Sequence, residues 1–302
     1  GSKFNDTDLV VSKEDGSGYY VTGYVGDNEK IVIEYDFEIE NLTKFNPRIE
    51  ILKKNFAIKN IMSNEIKNIV FNLGMIEAMS YFKATCSKNV VIKCGKLDSY
   101  QEEWFKKLYY LGLGEFRFIN NIKIKKDDFV EFVSEGEKLD ISANKNELNG
   151  TIIPIGGGKD SNVTLELLKN VSNDNLAFVI GSKAVSMECA KIAGFENDRI
   201  IEVKRVIDKN LIDLNQKGFL NGHTPFSAIV AFITYLCASL LGKRYIALSN
   251  EDSANESNVE GENINHQYSK TIEFENDFRE YAEKYLMQGP EYFSMLRPIS
   301  EL

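Results

Sequence analysis

From residue 151 to residue 287, short runs of β-branched and apolar residues alternate with segments that have helical apolar spacing. The predicted strands span 151–155, 176–181, 199–204 and 244–249, and the predicted helices span 161–170, 184–194, 207–216, 225–241 and 276–287. Strands and helices that alternate at this spacing are typical of parallel strands joined by right-handed crossovers. The pattern therefore predicts an α/β fold with a doubly wound parallel sheet, in which ligands bind at the carboxyl ends of the strands.

The first half of the chain has a different pattern. Segments 19–25 and 30–39 are rich in aromatic and β-branched residues and flank a turn, which is typical of antiparallel strands. Two segments with helical spacing follow, 66–84 and 99–111, and a short strand is predicted between them at 90–92. These elements predict an α+β arrangement.

The length of 302 residues is enough for about two domains. The polar run 138–149 separates the two patterns and is the predicted boundary. We expect an N-terminal α+β domain over residues 1–147, which contacts substrate or a partner, and an α/β domain over residues 148–302.

The net charge of the chain and the length of its apolar stretches indicate which binding partners to expect. The chain has a formal net charge of −9 and an isoelectric point near 5.1, whereas non-specific binding of nucleic acid requires clustered Lys and Arg. The longest apolar stretch, 226–241, is short for a membrane span and contains Ser227, Thr234 and Ser239. We therefore expect a cytoplasmic protein with a small-molecule substrate and without a nucleic-acid or membrane partner. The pattern leaves the oligomeric state open.

A glycine-rich turn, Gly156-Gly157-Gly158-Lys159-Asp160-Ser161, follows the first predicted strand of the α/β region. Successive glycines let the backbone approach a ligand, and the amides that begin a helix favour an anion. The spacing matches neither G-x-x-x-x-G-K-[ST] nor G-x-G-x-x-G. It resembles the PP-loop of ATP pyrophosphatases, Ser-Gly-Gly-x-Asp-Ser, with Gly156 in place of the serine. The alternative is a strand-to-helix turn without a ligand.

The PP-loop resemblance implies an adenine nucleotide hydrolase-like domain that splits ATP between its α- and β-phosphates. Segments 156–161, 181–183 and 249–251 all leave predicted strand ends, so they should surround one crevice. The predicted ATP-binding residues are Gly156, Gly157, Gly158, Lys159, Asp160, Ser161, Gly181 and Ser182.

Two carboxylates beside this crevice are candidate Mg²⁺ ligands. Asp160 either binds Mg²⁺ next to the phosphates or caps the following helix. The second is Glu251, in the polar segment 250–263, which is either a lid, with Glu251 or Asp252 as metal ligand or base, or a plain solvated loop.

Several blocks of the sequence together resemble the UDP-N-acetylmuramoyl-L-alanyl-L-glutamate epimerases, PP-loop-type enzymes of peptidoglycan precursor synthesis. Besides the glycine turn and 221–227, the blocks are Ser80-Tyr81-Phe82-Lys83-Ala84, Leu111-Gly112-Leu113-Gly114-Glu115-Phe116, Ser249-Asn250-Glu251-Asp252-Ser253-Ala254-Asn255, Asn265-His266-Gln267-Tyr268-Ser269-Lys270 and Leu296-Arg297-Pro298. The resemblance implies inversion of the terminal L-glutamate of the nucleotide-linked dipeptide, with ATP and Mg²⁺ required and AMP and pyrophosphate released.

Inversion through removal of the α-proton requires acid/base groups on opposite faces of the substrate. The chain has two histidines, and we expect His266 and His223 to fill these roles, with Glu251 in reserve. A structural or surface role is the alternative for each histidine. In the segment before the long apolar helix, Thr224 is the predicted N-cap and Pro225 the first helical residue.

Two other interpretations stay open. One is a PP-loop enzyme that adenylates a carboxylate or carbonyl for amidation or thiolation. The other is a non-catalytic ATP-binding module, which the substitution of Gly156 for serine makes conceivable. We also expect members of the epimerase family to continue beyond Leu302 into a further segment.

Overall fold

The structure is a computed structural model that describes residues 9–11, 19–24, 30–52, 56, 58, 61–181, 184–252 and 268–299. Its strands are β1 (Leu9–Val11), β2 (Tyr19–Tyr24), β3 (Lys30–Tyr35), β4 (Phe37–Ile39), β5 (Thr43–Phe45), β6 (Arg48–Leu52), β7 (Asn89–Ile92), β8 (Glu131–Ser134), β9 (Thr151–Pro154), β10 (Leu176–Ile180), β11 (Ile200–Val206), β12 (Tyr245–Leu248) and β13 (Glu291–Ser294).

The α-helices are α1 (Asn64–Phe82), α2 (Ser99–Gly112), α3 (Gly114–Ile119), α4 (Lys126–Phe129), α5 (Lys159–Leu168), α6 (Ala184–Ile192), α7 (Lys209–Gln216), α8 (Phe226–Leu241) and α9 (Ile272–Tyr281). Short 3-10 turns span Asn197–Arg199 and Tyr268–Lys270, and a π-helical turn spans Ala282–Leu286. In the described part of the chain, none of these helices is both long enough and apolar enough to cross a membrane.

The larger sheet has eight strands in the order β13-β12-β9-β10-β11-β6-β3-β2. The five strands from β13 to β11 are parallel, whereas β6, β3 and β2 continue the sheet as antiparallel strands. After β9 the chain adds β10 and β11 on one side and then β12 and β13 on the other, so the strand order reverses at β9. The predicted α/β class is confirmed.

The parallel part of the sheet is covered on both faces, because successive side chains of a strand point in opposite directions. Ile152 and Ile246 belong to the larger core, which also contains α1 and α8. Ile153 and Ala247 belong to a second, smaller core with α5 and α6. Helix α8, which the sequence predicts as a buried helix, is apolar along most of its length and packs between the sheet and α1.

The smaller sheet has five strands in the order β5-β4-β1-β7-β8. Strands β1, β7 and β8 are parallel, and β4 and β5 are added as antiparallel strands. Core residues of this sheet belong to the same cluster as α1, so α1 is buried between the two sheets.

The predicted boundary at residue 148 stays a prediction, but both the sheet and the larger core continue across it. Strand β6, from the first half of the chain, pairs with β11, for example through Ile51 and Val203. The core that contains α1 also contains α8. The two halves therefore share one sheet and one core.

Several elements differ from the predictions. Helix α5 begins at Lys159, with Gly158 as N-cap, so Asp160 lies in the first turn and is not the cap. Helix α8 has Pro225 as its N-cap, and the predicted cap Thr224 lies one residue outside. Helix α9 begins before residue 276 because the Thr271 side chain accepts a hydrogen bond from the Phe274 amide. Strand β13 was not predicted, and it extends the sheet by pairing with β12.

Candidate functional site

A cavity of about 270 Å³ lies at the carboxyl ends of β9, β10 and β12, where the strand order reverses. It is lined by Pro154, Ile155, Gly156, Gly158, Asp160, Ser161, Phe178, Ile180, Phe226, Val230, Leu248, Ser249, Asn250 and Lys270. Two larger cavities, of about 550 and 680 Å³, lie beside the amino-terminal half of α1. The smaller cavity is the candidate site because open α/β sheets bind ligands at this type of crossover.

The three glycines of the turn have different structural requirements. Gly157 has φ +82°, a left-handed conformation that side-chain-bearing residues rarely adopt. Gly156 and Gly158 have no such requirement, and a Cβ built on either would meet no atom of the described structure within 4 Å. The space in front of these two glycines is therefore open, which is the arrangement that a closely approaching ligand needs.

Helix α5 begins directly at the cavity. Among the described residues, no side chain caps its first turn, so the first amides lack a partner from a capping side chain. The buried Ser161 hydroxyl donates to the Gly158 carbonyl at 3.0 Å. Backbone amides at such a helix start, together with the helix dipole, favour a bound anion.

Lys159 connects the two predicted metal ligands. Its ammonium lies 3.2 Å from an Asp160 carboxylate oxygen and 3.3 Å from a Glu251 carboxylate oxygen. The structure thus brings both carboxylates to one positive charge beside the cavity. No group of three or more metal-binding side chains exists within the described ranges. Mg²⁺ is commonly bound by one or two carboxylates together with substrate phosphates, and Asp160 with Glu251 fits that donor set.

Arg297 holds two segments that border the cavity. One of its terminal nitrogens donates to the Glu251 carbonyl at 2.9 Å, and the other donates to the Lys270 carbonyl at 2.8 Å. The buried Glu275 carboxylate accepts from the same guanidinium at 3.0 Å. The sequence did not predict Lys270 as a site residue. The signal for it was the block that ends at Lys270 in the family resemblance.

The structure places the remaining predicted residues as follows. His223 is exposed in the loop before α8, whereas the cavity lining on this side begins at Phe226. Gly181 directly follows β10, has φ +77° and donates its amide to the Val203 carbonyl at 2.8 Å. His266 and Ser182 lie outside the described residues, so their roles stay predictions.

A buried charged cluster lies at the carboxyl end of β11. The Arg205 guanidinium contacts the fully buried Glu77 carboxylate at 2.8 Å and donates to the Ser80 hydroxyl at 2.8 Å. Lys83, which follows α1 directly, donates to the carbonyl of Gly222 in the loop that carries His223.

Burial, together with the nearby charge of Arg205, lowers the pKa of Lys83 to about 8. No role was predicted for this cluster, although the block Ser80-Tyr81-Phe82-Lys83-Ala84 of the family resemblance contains Lys83. The available signal was a set of charged residues, Glu77 and Lys83, within an otherwise apolar helical pattern.

Comparison with known proteins identifies relatives of the chain. The family model for the MurL N-terminal domain matches residues 13–295. A UDP-N-acetyl-alpha-D-muramoyl-L-alanyl-L-glutamate epimerase from Xanthomonas oryzae is 31% identical over 253 residues, which cover 82% of this chain and 54% of that protein. Proteins with the same name from Salinispora tropica and a Micromonospora species are 31% and 30% identical, and the matches cover 76% of this chain in both cases.

The matches cover 50% of the Salinispora protein and 51% of the Micromonospora protein. The chain therefore spans about half the length of the curated relatives it matches. No solved structure gives a significant match.

Proposed function

We propose, from the premise that this chain belongs to the MurL N-terminal domain family, that it binds ATP with Mg²⁺ for epimerisation of the terminal L-glutamate of UDP-MurNAc-L-Ala-L-Glu. The names of the relatives support the reaction. The observation that carries ATP binding is the open space in front of Gly156 and Gly158, at the start of α5 and at the reversal of the strand order.

We assign the parallel part of the larger sheet to the doubly wound, PP-loop type. Three features support this assignment: five adjacent parallel strands, the reversal at β9, and helices on both faces. In this assignment the turn between β9 and α5 is the PP-loop.

The amides of the glycine turn and of the first turn of α5 would hold the phosphates of ATP. Lys270 in the cavity lining and Lys159 at the start of α5 would add positive charge. Asp160 and Glu251 would hold Mg²⁺, which supplies neutralisation of the charge on the departing pyrophosphate.

The chemical reason for using ATP is the charge of the substrate. Removing the α-proton next to an ionised carboxylate would place a second negative charge beside the first. When a carboxylate oxygen bonds to the α-phosphorus of ATP, the bond from that phosphorus to pyrophosphate breaks and the carboxylate charge is removed. A base can then take the α-proton, an acid can return a proton from the opposite face, and water can release AMP.

His266, His223 and Glu251 remain the proposed acid/base groups. Because His223 is exposed outside the cavity lining, its role requires the substrate to extend from the cavity toward the loop before α8. Glu251 lies within reach of Lys159, so its role as base competes with its role as metal ligand.

One experiment tests the reaction. The protein is incubated with ATP, Mg²⁺ and UDP-MurNAc-L-Ala-L-Glu in D₂O, and the products are analysed by mass spectrometry and chiral chromatography. We expect D-glutamate that carries deuterium at the α-carbon, together with AMP and pyrophosphate. D-glutamate without deuterium contradicts the proton-transfer scheme, and bound but intact ATP identifies a non-catalytic nucleotide-binding module.

A further inference from the structure

We propose that Lys83, supported by Arg205, forms a subsite for the second carboxylate of the substrate, the side-chain carboxylate of the terminal glutamate. This inference rests on the proposed function, in which the α-carboxylate is the group that is adenylated. Lys83 and Arg205 lie outside the glycine turn and outside the lining of the nucleotide cavity.

The cluster of Lys83, Arg205 and Glu77 has more positive than negative charge. Arg205 is paired with Glu77 at 2.8 Å. Lys83 is only 7% exposed, and within the described part of the chain the structure pairs it with a carbonyl and with no carboxylate. Two buried cations and one carboxylate leave an excess of positive charge, which a substrate carboxylate would balance.

The buried ammonium of Lys83 lowers the stability of the folded protein. A buried ammonium without an ionic partner destabilises a folded protein, and an apolar residue of similar size would fit the surrounding core at lower cost. Residues that weaken the fold in this way are concentrated at functional sites. Lys83 is therefore better explained by a ligand than by the stability of α1.

Arg205 and Lys83 are both connected to elements that line the nucleotide cavity. Val203 pairs with Ile180, which lines the nucleotide cavity. Arg205 lies two residues beyond Val203 on the same face of β11, which is about 7 Å along the strand. On the other side, Gly222, which accepts from Lys83, precedes the cavity residue Phe226 by a short stretch of loop. The cluster is thus linked to the cavity through β11 on one side and through the loop before α8 on the other.

The test compares two ligands and two variants. The ligands are UDP-MurNAc-L-Ala-L-Glu and the analogue that ends in L-Gln, which keeps the α-carboxylate but lacks the side-chain charge. The variants are Lys83→Met and the control Lys204→Met, whose lysine is exposed and precedes Arg205 on the same strand. Binding is measured by calorimetry without ATP, and folding is measured by thermal unfolding.

We expect the wild-type protein and the control to bind the Glu ligand about ten- to a hundredfold more tightly than the Gln ligand, the range for a charge-assisted hydrogen bond. In Lys83→Met the preference should fall to within about twofold, with the melting temperature equal to or above that of the wild type. Lys83→Gln, which keeps a polar side chain of similar length, should also lose the preference.

A Lys83→Met protein that keeps the preference overturns the subsite while leaving the proposed function intact. A variant that loses the preference only because it melts far below the wild type assigns Lys83 a structural role and also overturns the subsite. If the wild-type protein binds neither dipeptide but binds ATP with Mg²⁺, the proposed substrate fails, and the subsite fails with it.

Discussion

Within the glycine turn, one position needs glycine for the backbone conformation, whereas another needs it only if a ligand approaches. At Gly157 the backbone itself needs glycine, since φ is +82° and a Cβ would lie 3.2 Å from the Ser186 hydroxyl oxygen. At Gly158 neither the backbone angle nor the packing requires glycine. The two positions therefore make a matched pair of tests.

Gly157→Ala should lower the free energy of unfolding by about 1–2 kcal/mol, the cost of a left-handed conformation for a residue with a Cβ. Gly158→Ala should lower it by about 1 kcal/mol or less, because alanine is a poorer N-cap than glycine, but should weaken ATP binding, because its methyl group projects into the open space at a position where the PP-loop motif also has glycine. Urea unfolding and calorimetric titration with ATP and Mg²⁺ measure the two effects. Unchanged ATP affinity in Gly158→Ala would show that phosphate does not approach this turn.

The stability contribution of Lys83 should depend on pH. Its pKa is lowered from 10.5 to about 8 in the folded state, so below pH 8 the folded protein bears the cost of a buried charge. Between about pH 8 and pH 10.5 the unfolded chain binds a proton that the folded protein does not bind, so stability from this residue rises with pH.

Lys83→Met removes the titrating ammonium of Lys83 and keeps the nearby Arg205–Glu77 pair. His223, next to Gly222, is present in both proteins and is therefore common to both sides of the comparison. Lys83→Met should be more stable than the wild type at pH 7 by about 3 kcal/mol at most. This difference should shrink as the pH is raised from 8 toward 10. Guanidinium unfolding at several pH values measures it, and a difference that is constant or grows with pH contradicts the assignment.

Secondary-structure elements could be predicted from the sequence where residues close together along the chain determine them. The glycine turn and the buried helix α8 were predicted because their patterns are continuous in the sequence. The Glu77–Arg205 pair was not predicted, because its partners are 128 positions apart and only the packing of α1 against the end of β11 brings them together. The same limitation applies to the contacts of Arg297: its block is part of the family resemblance, but its partners Glu251, Lys270 and Glu275 are distant in the sequence.

Arg297 connects β13 and the turn before α9 to the segment that follows β12, so its removal should act on all three elements. Arg297→Met leaves the Glu275 carboxylate buried without its cation and should cost about 3–5 kcal/mol. It should also weaken binding of ATP with Mg²⁺, because the positions of Glu251 and Lys270 depend on the same guanidinium.

The matched control is the double variant Arg297→Met with Glu275→Gln, which removes the unpaired charge. Its free energy of unfolding should lie well above that of Arg297→Met alone, while its ATP affinity should remain low. Additive stability losses for the two substitutions would contradict the direct coupling of Arg297 with Glu275.

For the whole molecule, the sequence predicts two domains because the hydrophobic pattern changes at a polar segment. The halves are joined at two levels, through the pairing of β6 with β11 and through the core shared by α1 and α8, and the boundary near residue 148 stays a prediction. No local pattern specifies that a strand from the first half will extend the sheet of the second half, since this pairing depends on long-range packing.

The chain should consequently unfold in one cooperative transition. Its single tryptophan, Trp104 on α2, reports on the contact between the halves: the indole N–H donates to the Asp277 carbonyl at 3.1 Å, and the ring lies 4.3 Å from that of Tyr281. Trp104 fluorescence and far-UV circular dichroism should therefore give the same urea midpoint. A matched control, Phe118→Ser at an exposed position of α3, should leave both midpoints unchanged within error. A fluorescence midpoint clearly below the circular dichroism midpoint would show that the halves separate before either unfolds, and would support two independent domains divided near residue 148.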